Sequence, residues 1–165
     1  MEKKIYYFLG SSVTYGFANN GKSFVEVIEK NLKCHCVKEA ENGTTLTDDD
    51  STSYVERLEN KLDKKEKIEG IIVQLSTNDI SKNKPLGEVS SSLEKDAFDK
   101  KTVLGAIEYI IAYCKEIWNC SVIFYTNPNF NNKKYDFLID KLYEIKRKWN
   151  IEIIDFYNFE NMEKL

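Results

Sequence analysis

The sequence predicts a single three-layer α/β domain, in which helices cover a mainly parallel sheet of five strands. Short apolar runs alternate with segments of helical periodicity, which is typical of βαβ units. The stretches at residues 71–73 and 122–125 are continuously apolar, as expected for strands that are covered on both faces. A chain of 165 residues is long enough for one such core and short for two.

Five apolar runs mark the predicted strands, and two serines mark the first helices. Ser23 precedes Glu26 by three residues, and Ser53 precedes Glu56 by the same spacing, which is the pattern of a capping box at a helix start. The predicted strands are residues 5–9, 34–40, 71–75, 122–125 and 151–156.

The second half of the chain contains the two clearest helical patterns. Apolar residues fall at helical spacing over residues 103–118 and again over residues 138–149. Residues 81–100 are polar and contain Pro85 and Gly87, so we expect this segment to leave the core as a loop.

Composition excludes several classes of protein. A net charge of −3 and a pI of about 5.4 provide no basic surface for nucleic acid or anionic lipid. Ten Tyr, nine Phe and two Trp are too many aromatic residues for a disordered chain. No run approaches the roughly 20 apolar residues that a membrane span needs, and four cysteines are few for a disulfide scaffold. We therefore expect a cytoplasmic protein that binds neither nucleic acid nor membrane.

Candidate site residues follow the first three strands, since ligands bind at the carboxyl ends of the strands in a doubly wound sheet. Ser12 lies between Gly10 and Gly16, as a nucleophile on a strand-to-helix turn would, although Gly and Ser are common in any such loop. Gly43 lets a backbone N–H approach a ligand, or is a plain turn residue. Asn78 can donate to a developing oxyanion, or belongs to ordinary turn chemistry. We expect the three to surround one small pocket.

The three turns together resemble the conserved blocks of the SGNH or GDSL-type hydrolases. Residues 10–16, Gly-Ser-Ser-Val-Thr-Tyr-Gly, are similar to the first block of that family, Gly-Asp-Ser-Leu/Ile-Thr-x-Gly, with Ser11 in place of Asp. Residues 76–79, Ser-Thr-Asn-Asp, are similar to the third block, Gly-x-Asn-Asp, with Ser76 in place of Gly. Gly43 resembles the glycine of the second block.

This resemblance implies a flavodoxin-like fold and an ester hydrolase that acts on a small ester. Ser12 would be the nucleophile that forms an acyl-enzyme, and its backbone N–H would form the oxyanion hole together with Gly43 and Asn78. Neither a metal ion nor an organic cofactor would be needed.

The family's last block, Asp-x-x-His, has no counterpart after residue 156. The only histidine, His35, begins the second predicted strand, about 16 Å from its carboxyl end at ~3.3 Å per residue, too far to serve Ser12. We therefore expect the domain, residues 1–165, to be truncated at its carboxyl end and to lack the final helix. It should be a poor esterase with one sheet face partly uncovered, and this face favours a homo-oligomer.

Two other functions remain open at this point. A non-catalytic relic or interaction protein would keep the fold without the triad. A flavodoxin-like module would instead bind the phosphate of FMN or another nucleotide in the loop at residues 11–14.

Two clusters of possible metal ligands do not indicate a metal site. In residues 34–36, Cys-His-Cys, His35 points away from the two cysteines and a fourth zinc ligand is lacking, and Asp48, Asp49 and Asp50 are expected in a solvated loop.

Overall fold

A parallel sheet of five strands organises the described part of the chain. The computed structural model describes residues 2–159. All four strand pairings are parallel, which confirms the predicted fold class. The strands are β1 Ile5–Gly10, β2 His35–Ala40, β3 Gly70–Leu75, β4 Ser121–Thr126 and β5 Glu152–Ile154. Their order across the sheet is β2-β1-β3-β4-β5.

The last strand is shorter than the sequence predicts. β5 ends at Ile154 because the carboxylate of Asp155 accepts hydrogen bonds from the backbone N–H of Asn158 at 2.8 Å and from its side-chain amide at 2.7 Å. These bonds close a turn directly after the strand. The predicted extension of this strand to residue 156 is therefore wrong.

Within the described part of the chain six α-helices accompany the sheet, and their first turns test the predicted caps. Ser23 and Glu26 form the complete capping box. Ser53 also caps its helix, but the Glu56 carboxylate accepts from Asn60 and does not return a bond to Ser53, so this capping box is only half formed. The helices are α1 Ser12–Tyr15, α2 Phe24–Leu32, α3 Tyr54–Lys61, α4 Asn78–Ser81, α5 Val103–Ile117 and α6 Lys133–Trp149.

The two sheet faces are covered unequally. Helices α3, α5 and α6 pack on one face, where Tyr7 and Leu9 of β1 join the main core. On the opposite face, α2 is the helix that packs against the sheet within residues 2–159, and Phe8 belongs there to a small separate cluster with Val25 of that helix. Alternation along β1 therefore sends neighbouring side chains into two cores of very different size.

An apolar groove of about 1210 Å³ runs along the thinly covered face. It begins at the carboxyl edge of the sheet, beside Val13 of α1, and reaches the amino edge near Lys4. The groove agrees with the prediction that one sheet face lacks part of its cover. Its apolar lining includes Tyr6, Phe8, Val13, Phe24, Ile28, Leu32, Ile72, Tyr125, Ile154 and Phe156.

The sequence predicted that residues 81–100 leave the core, but the segment between α4 and α5 stays in contact with it. Leu86 and Val89 pack against the main core. The fully buried carboxylate of Glu108 accepts the backbone N–H of Ser90 at 2.8 Å and pairs with the ammonium group of Lys148. The polar composition of the segment concealed these anchors, because they lie on α5 and α6.

None of the helices between residues 2 and 159 combines the length and the apolar character needed to cross a bilayer.

Candidate active site

The strand order creates a crevice at the carboxyl ends of β1 and β3. From β1 the chain crosses to β2 on one side, and from β3 it crosses to β4 on the other, so the two adjacent strands form the topological switch point. Ligands bind at such a point in open α/β sheets. Ser12 begins the short helix directly after β1, and Asn78 begins the one that follows β3.

The turn that carries Ser12 is fixed by a side chain of the neighbouring strand. The Gln74 Oε1 atom on β3 accepts hydrogen bonds from the Ser11 backbone N–H at 2.9 Å and from the Thr14 hydroxyl at 2.8 Å. Gly10 permits this close packing, because a Cβ atom there would lie 2.0 Å from Thr14 Oγ1. The glycine before Ser12 is thus required by the turn itself.

Ser12 is partly buried, and its polar atoms are available to a ligand. Within residues 2–159 neither its hydroxyl nor its backbone N–H makes a hydrogen bond. The N–H is free because it belongs to the first turn of a helix, where no preceding carbonyl can accept it. No side chain among residues 2–159 bonds to the Ser12 hydroxyl as a general base would.

The second and third turns are in direct contact. The Asn78 side-chain amide donates to the carbonyl oxygen of Thr44 at 2.9 Å, which uses one of its two N–H groups. Gly43, the preceding residue, has φ +74° and open space around its Cα atom, and no acceptor for its N–H lies in the described part of the chain. The ammonium group of Lys82 donates to the Gly43 carbonyl oxygen. Asn78 and Gly43 therefore both have an N–H free on adjacent turns.

Asp79 holds the turn that contains Gly43 in place through two hydrogen bonds. Its carboxylate is fully buried and accepts the backbone N–H groups of Leu46 at 3.0 Å and Thr47 at 3.2 Å. Burial raises the pKa of Asp79, and these two hydrogen bonds offset part of that effect. Both carboxylate oxygens are engaged, so Asp79 supports the loop and does not face Ser12 as a base.

Arg57 of α3 is a site residue that the sequence reasoning missed. Its side chain is 1% exposed, and one guanidinium nitrogen donates to both the Gly10 carbonyl oxygen at 3.0 Å and the Thr44 hydroxyl at 2.9 Å. The position follows the buried Tyr54 by three residues, and this helical spacing was a signal that Arg57 lies on the buried face.

Two buried hydroxyl groups near the site have no hydrogen-bond partner among residues 2–159. They are Ser11 Oγ, where the family pattern has an aspartate, and the phenol of Tyr54. Burial raises the pKa of Tyr54, so the phenol stays protonated. Both residues are fully buried, and the proximity of the Ser11 side chain offsets part of the effect of burial on the pKa of Tyr54.

His35 lies at the opposite end of the sheet from this site, as expected. It is the first residue of β2, it is exposed, and its Nδ1 atom lies 3.4 Å from a carboxylate oxygen of Glu29. The sulfur atoms of Cys34 and Cys36 are 3.6 Å apart, and burial followed by the contact with Cys34 raises the pKa of Cys36 to about 12. The described residues include no group of three or more metal-ligating side chains.

Comparisons with known proteins identify the fold. A structure from Bacteroides ovatus assigned as a GDSL-like lipase superposes with a TM-score of 0.73 at 16% identity, over 97% of this chain and 88% of that one. A second, from Bacteroides uniformis, gives 0.68 at 19% identity, over 92% and 82%. A family two carbohydrate esterase from Clostridium thermocellum, solved with cellohexaose, gives 0.72 at 16% identity, over 98% of this chain and 56% of that one.

Sequence comparisons add nothing to this result, since no family model and no curated protein matches the chain. The agreement in fold extends over nearly all of the chain. The protein therefore has the α/β fold of the SGNH, or GDSL-type, hydrolases.

Proposed function

We propose that the protein is a serine ester hydrolase with Ser12 as its nucleophile. The observation that carries the proposal is the set of free N–H groups on Ser12, Gly43 and Asn78, on turns joined by hydrogen bonds at the switch point. Such donors stabilise the oxyanion of a tetrahedral intermediate, and one of them typically contributes about 3 kcal/mol. The fold shared with esterases supports the same chemistry.

The proposed reaction has two steps. Ser12 Oγ attacks the ester carbonyl carbon, the serine proton passes to solvent water, and the alcohol leaves with a proton taken from water. Water then attacks the acyl-enzyme, which releases the acid and restores the serine hydroxyl.

The general base is the weak element of this site. The chain has one histidine, and it lies at the far end of β2. Loss of the histidine from a serine triad costs about 10⁶ in turnover, while the oxyanion hole and substrate binding retain some 10³–10⁴ over water. We therefore propose that this chain turns over esters slowly.

A second candidate is a non-catalytic protein that retains the fold. The same observation favours it, because a serine without a base is a weak nucleophile. This protein would bind a ligand at the switch point without cleaving it.

A serine-directed probe distinguishes the two candidates. We expect a fluorophosphonate to label the purified chain at Ser12 and p-nitrophenyl acetate to be hydrolysed slowly. Both signals should disappear in Ser12→Ala. Ser11→Ala is the matched control, since it removes a neighbouring buried serine, and His35→Ala should leave both signals unchanged.

Two results would contradict the proposal. One is the absence of both labelling and turnover in the wild-type chain, which would favour the non-catalytic protein. The other is turnover that survives in Ser12→Ala, which would assign the reaction to another group. Loss of activity in His35→Ala would instead show that the base is the histidine and that its distance from Ser12 changes in solution.

A further inference from the structure

Arg57 is a fully buried charge whose partners are mostly uncharged. It is 1% exposed, and burying a guanidinium group is costly unless all of its N–H groups are bonded. Its five donors meet five acceptors. These are the carbonyl oxygens of Thr52 at 2.8 Å, Glu39 at 3.2 Å and Gly10 at 3.0 Å, the Thr44 hydroxyl at 2.9 Å and the Glu39 carboxylate at 3.4 Å.

The positions of these acceptors are more informative than their number. Gly10 ends β1 two residues before Ser12, and Thr44 directly follows Gly43. A single nitrogen, Nη2, bonds to both the Gly10 carbonyl and the Thr44 hydroxyl. Arg57 thus connects the turn that carries Ser12 to the turn that carries Gly43.

The connection continues to the third turn through Thr44. Its hydroxyl accepts from Arg57, while its carbonyl oxygen accepts from the Asn78 side chain at 2.9 Å. The Thr44 hydroxyl also donates to the Glu41 carbonyl oxygen at 2.7 Å, which fixes its orientation. One residue, Thr44, therefore couples Arg57 through its hydroxyl to Asn78 through its carbonyl oxygen.

We propose that Arg57 is a positioning residue, which sets the distance between Ser12 and the donors of Gly43 and Asn78. The inference rests on the proposed ester hydrolysis for its catalytic consequence, but the coupling of the three turns does not depend on it. Arg57 acts through Gly10 and Thr44 and does not itself touch the substrate. A displacement of about 1 Å in such a constellation costs up to roughly 100-fold in rate.

Substitutions at the two ends of the link test this role. Arg57→Lys keeps the charge but cannot bond to both Gly10 and Thr44 from one planar group. Thr44→Val keeps the shape of the side chain and removes its hydroxyl, whereas Thr44→Ser restores the hydroxyl. Leu62→Ala is the control for stability alone, because Leu62 is buried at the end of α3 away from the site.

Kinetics should separate positioning from folding. At a temperature where each variant is fully folded, we expect kcat for p-nitrophenyl acetate to fall about 10- to 100-fold in Arg57→Lys and Thr44→Val, with KM little changed. Thr44→Ser and Leu62→Ala should retain the wild-type kcat. Equal kcat in Arg57→Lys and Leu62→Ala would overturn the proposed effect on catalysis.

A second measurement does not require turnover. In ¹H–¹⁵N spectra, we expect Arg57→Lys and Thr44→Val to shift the backbone signals of Ser12 and Gly43 and the side-chain signals of Asn78 together. Leu62→Ala should leave these signals in place. An inactive wild-type chain would contradict the proposed function alone, whereas shifts confined to α3 would overturn the role of Arg57.

Discussion

The side chain of Gln74 accepts the backbone N–H of Ser11 at 2.9 Å, so a residue of β3 fixes the turn that follows β1. The same oxygen also accepts the hydroxyl of Thr14. Because Gln74 is 1% exposed, water cannot replace these bonds if the amide is lost. The conformation of the Ser12 turn therefore depends on a neighbouring strand as well as on its own sequence.

Substitution of Gln74 by Leu should test this dependence. Three buried donors, the backbone N–H groups of Ser11 and Thr14 and the Thr14 hydroxyl, lose this acceptor, and we expect the free energy of unfolding to fall by about 2–4 kcal/mol. Thr126→Val is the matched control, since the buried Thr126 hydroxyl accepts only the Tyr157 N–H within the described residues. Urea unfolding should show a smaller loss for the control, and equal losses would contradict the role of Gln74.

Two fully buried tyrosines should respond in opposite ways to loss of their hydroxyl groups. The Tyr54 hydroxyl has no partner within residues 2–159, so Tyr54→Phe should leave stability unchanged or raise it by about 1 kcal/mol. The Tyr135 hydroxyl donates to the Leu75 carbonyl and accepts the Asn127 N–H, both at 2.8 Å. Tyr135→Phe should therefore cost about 1–3 kcal/mol.

Thermal and urea unfolding of the two variants provide the measurement. A clear loss of stability in Tyr54→Phe would show that its hydroxyl is bonded in solution, for example to a buried water molecule shared with Ser11.

Asp155 should make stability depend on pH in the acid range. Its partial burial raises the pKa, but hydrogen bonds from Tyr143 and Asn158 outweigh burial and hold the pKa below the usual 3.8. A lowered pKa in the folded state stabilises the protein above the pKa of the unfolded chain, and this contribution is lost as the pH falls through the folded-state value.

The expected difference in stability between wild type and Asp155→Asn is therefore largest above about pH 5 and shrinks below pH 4. Asp140→Asn is the control, because Asp140 is exposed on α6 and its carboxylate has no hydrogen bond or ion pair in the described chain. Unfolding curves at several pH values measure the difference. A gap that stays constant down to pH 2 would refute the assignment.

The apolar groove should make the 165-residue chain self-associate. Leu32 lines the groove and is 70% exposed, and exposed apolar surface of this extent favours association. We expect Leu32→Glu to lower the apparent mass measured by sedimentation at tens of micromolar. Val27→Glu is the matched control, because Val27 is exposed on the same helix outside the groove. A monomeric wild-type chain would contradict this prediction.

Local sequence signals predicted the strands and the three turns but not the contacts that join them. The apolar runs were sufficient for β1, β3 and β4 because buried parallel strands differ in composition from the rest of the chain. Gln74 and Arg57 gave weak local signals, since their roles depend on partners distant in sequence. Residues 81–100 were misassigned for the same reason: their anchor, Glu108, lies on α5.

The pairing of β1 with β3 also has a kinetic consequence. Tyr7 lies beside Ile71 at the centre of the sheet, yet the whole of α2, β2 and α3 separates the two strands in the sequence. The chain must close this long loop before the central pairing contributes any stabilisation, and folding rates fall as contacts become less local. Refolding should thus be slow for a domain of this size, and its rate should be most sensitive to substitutions that weaken the contact between β1 and β3.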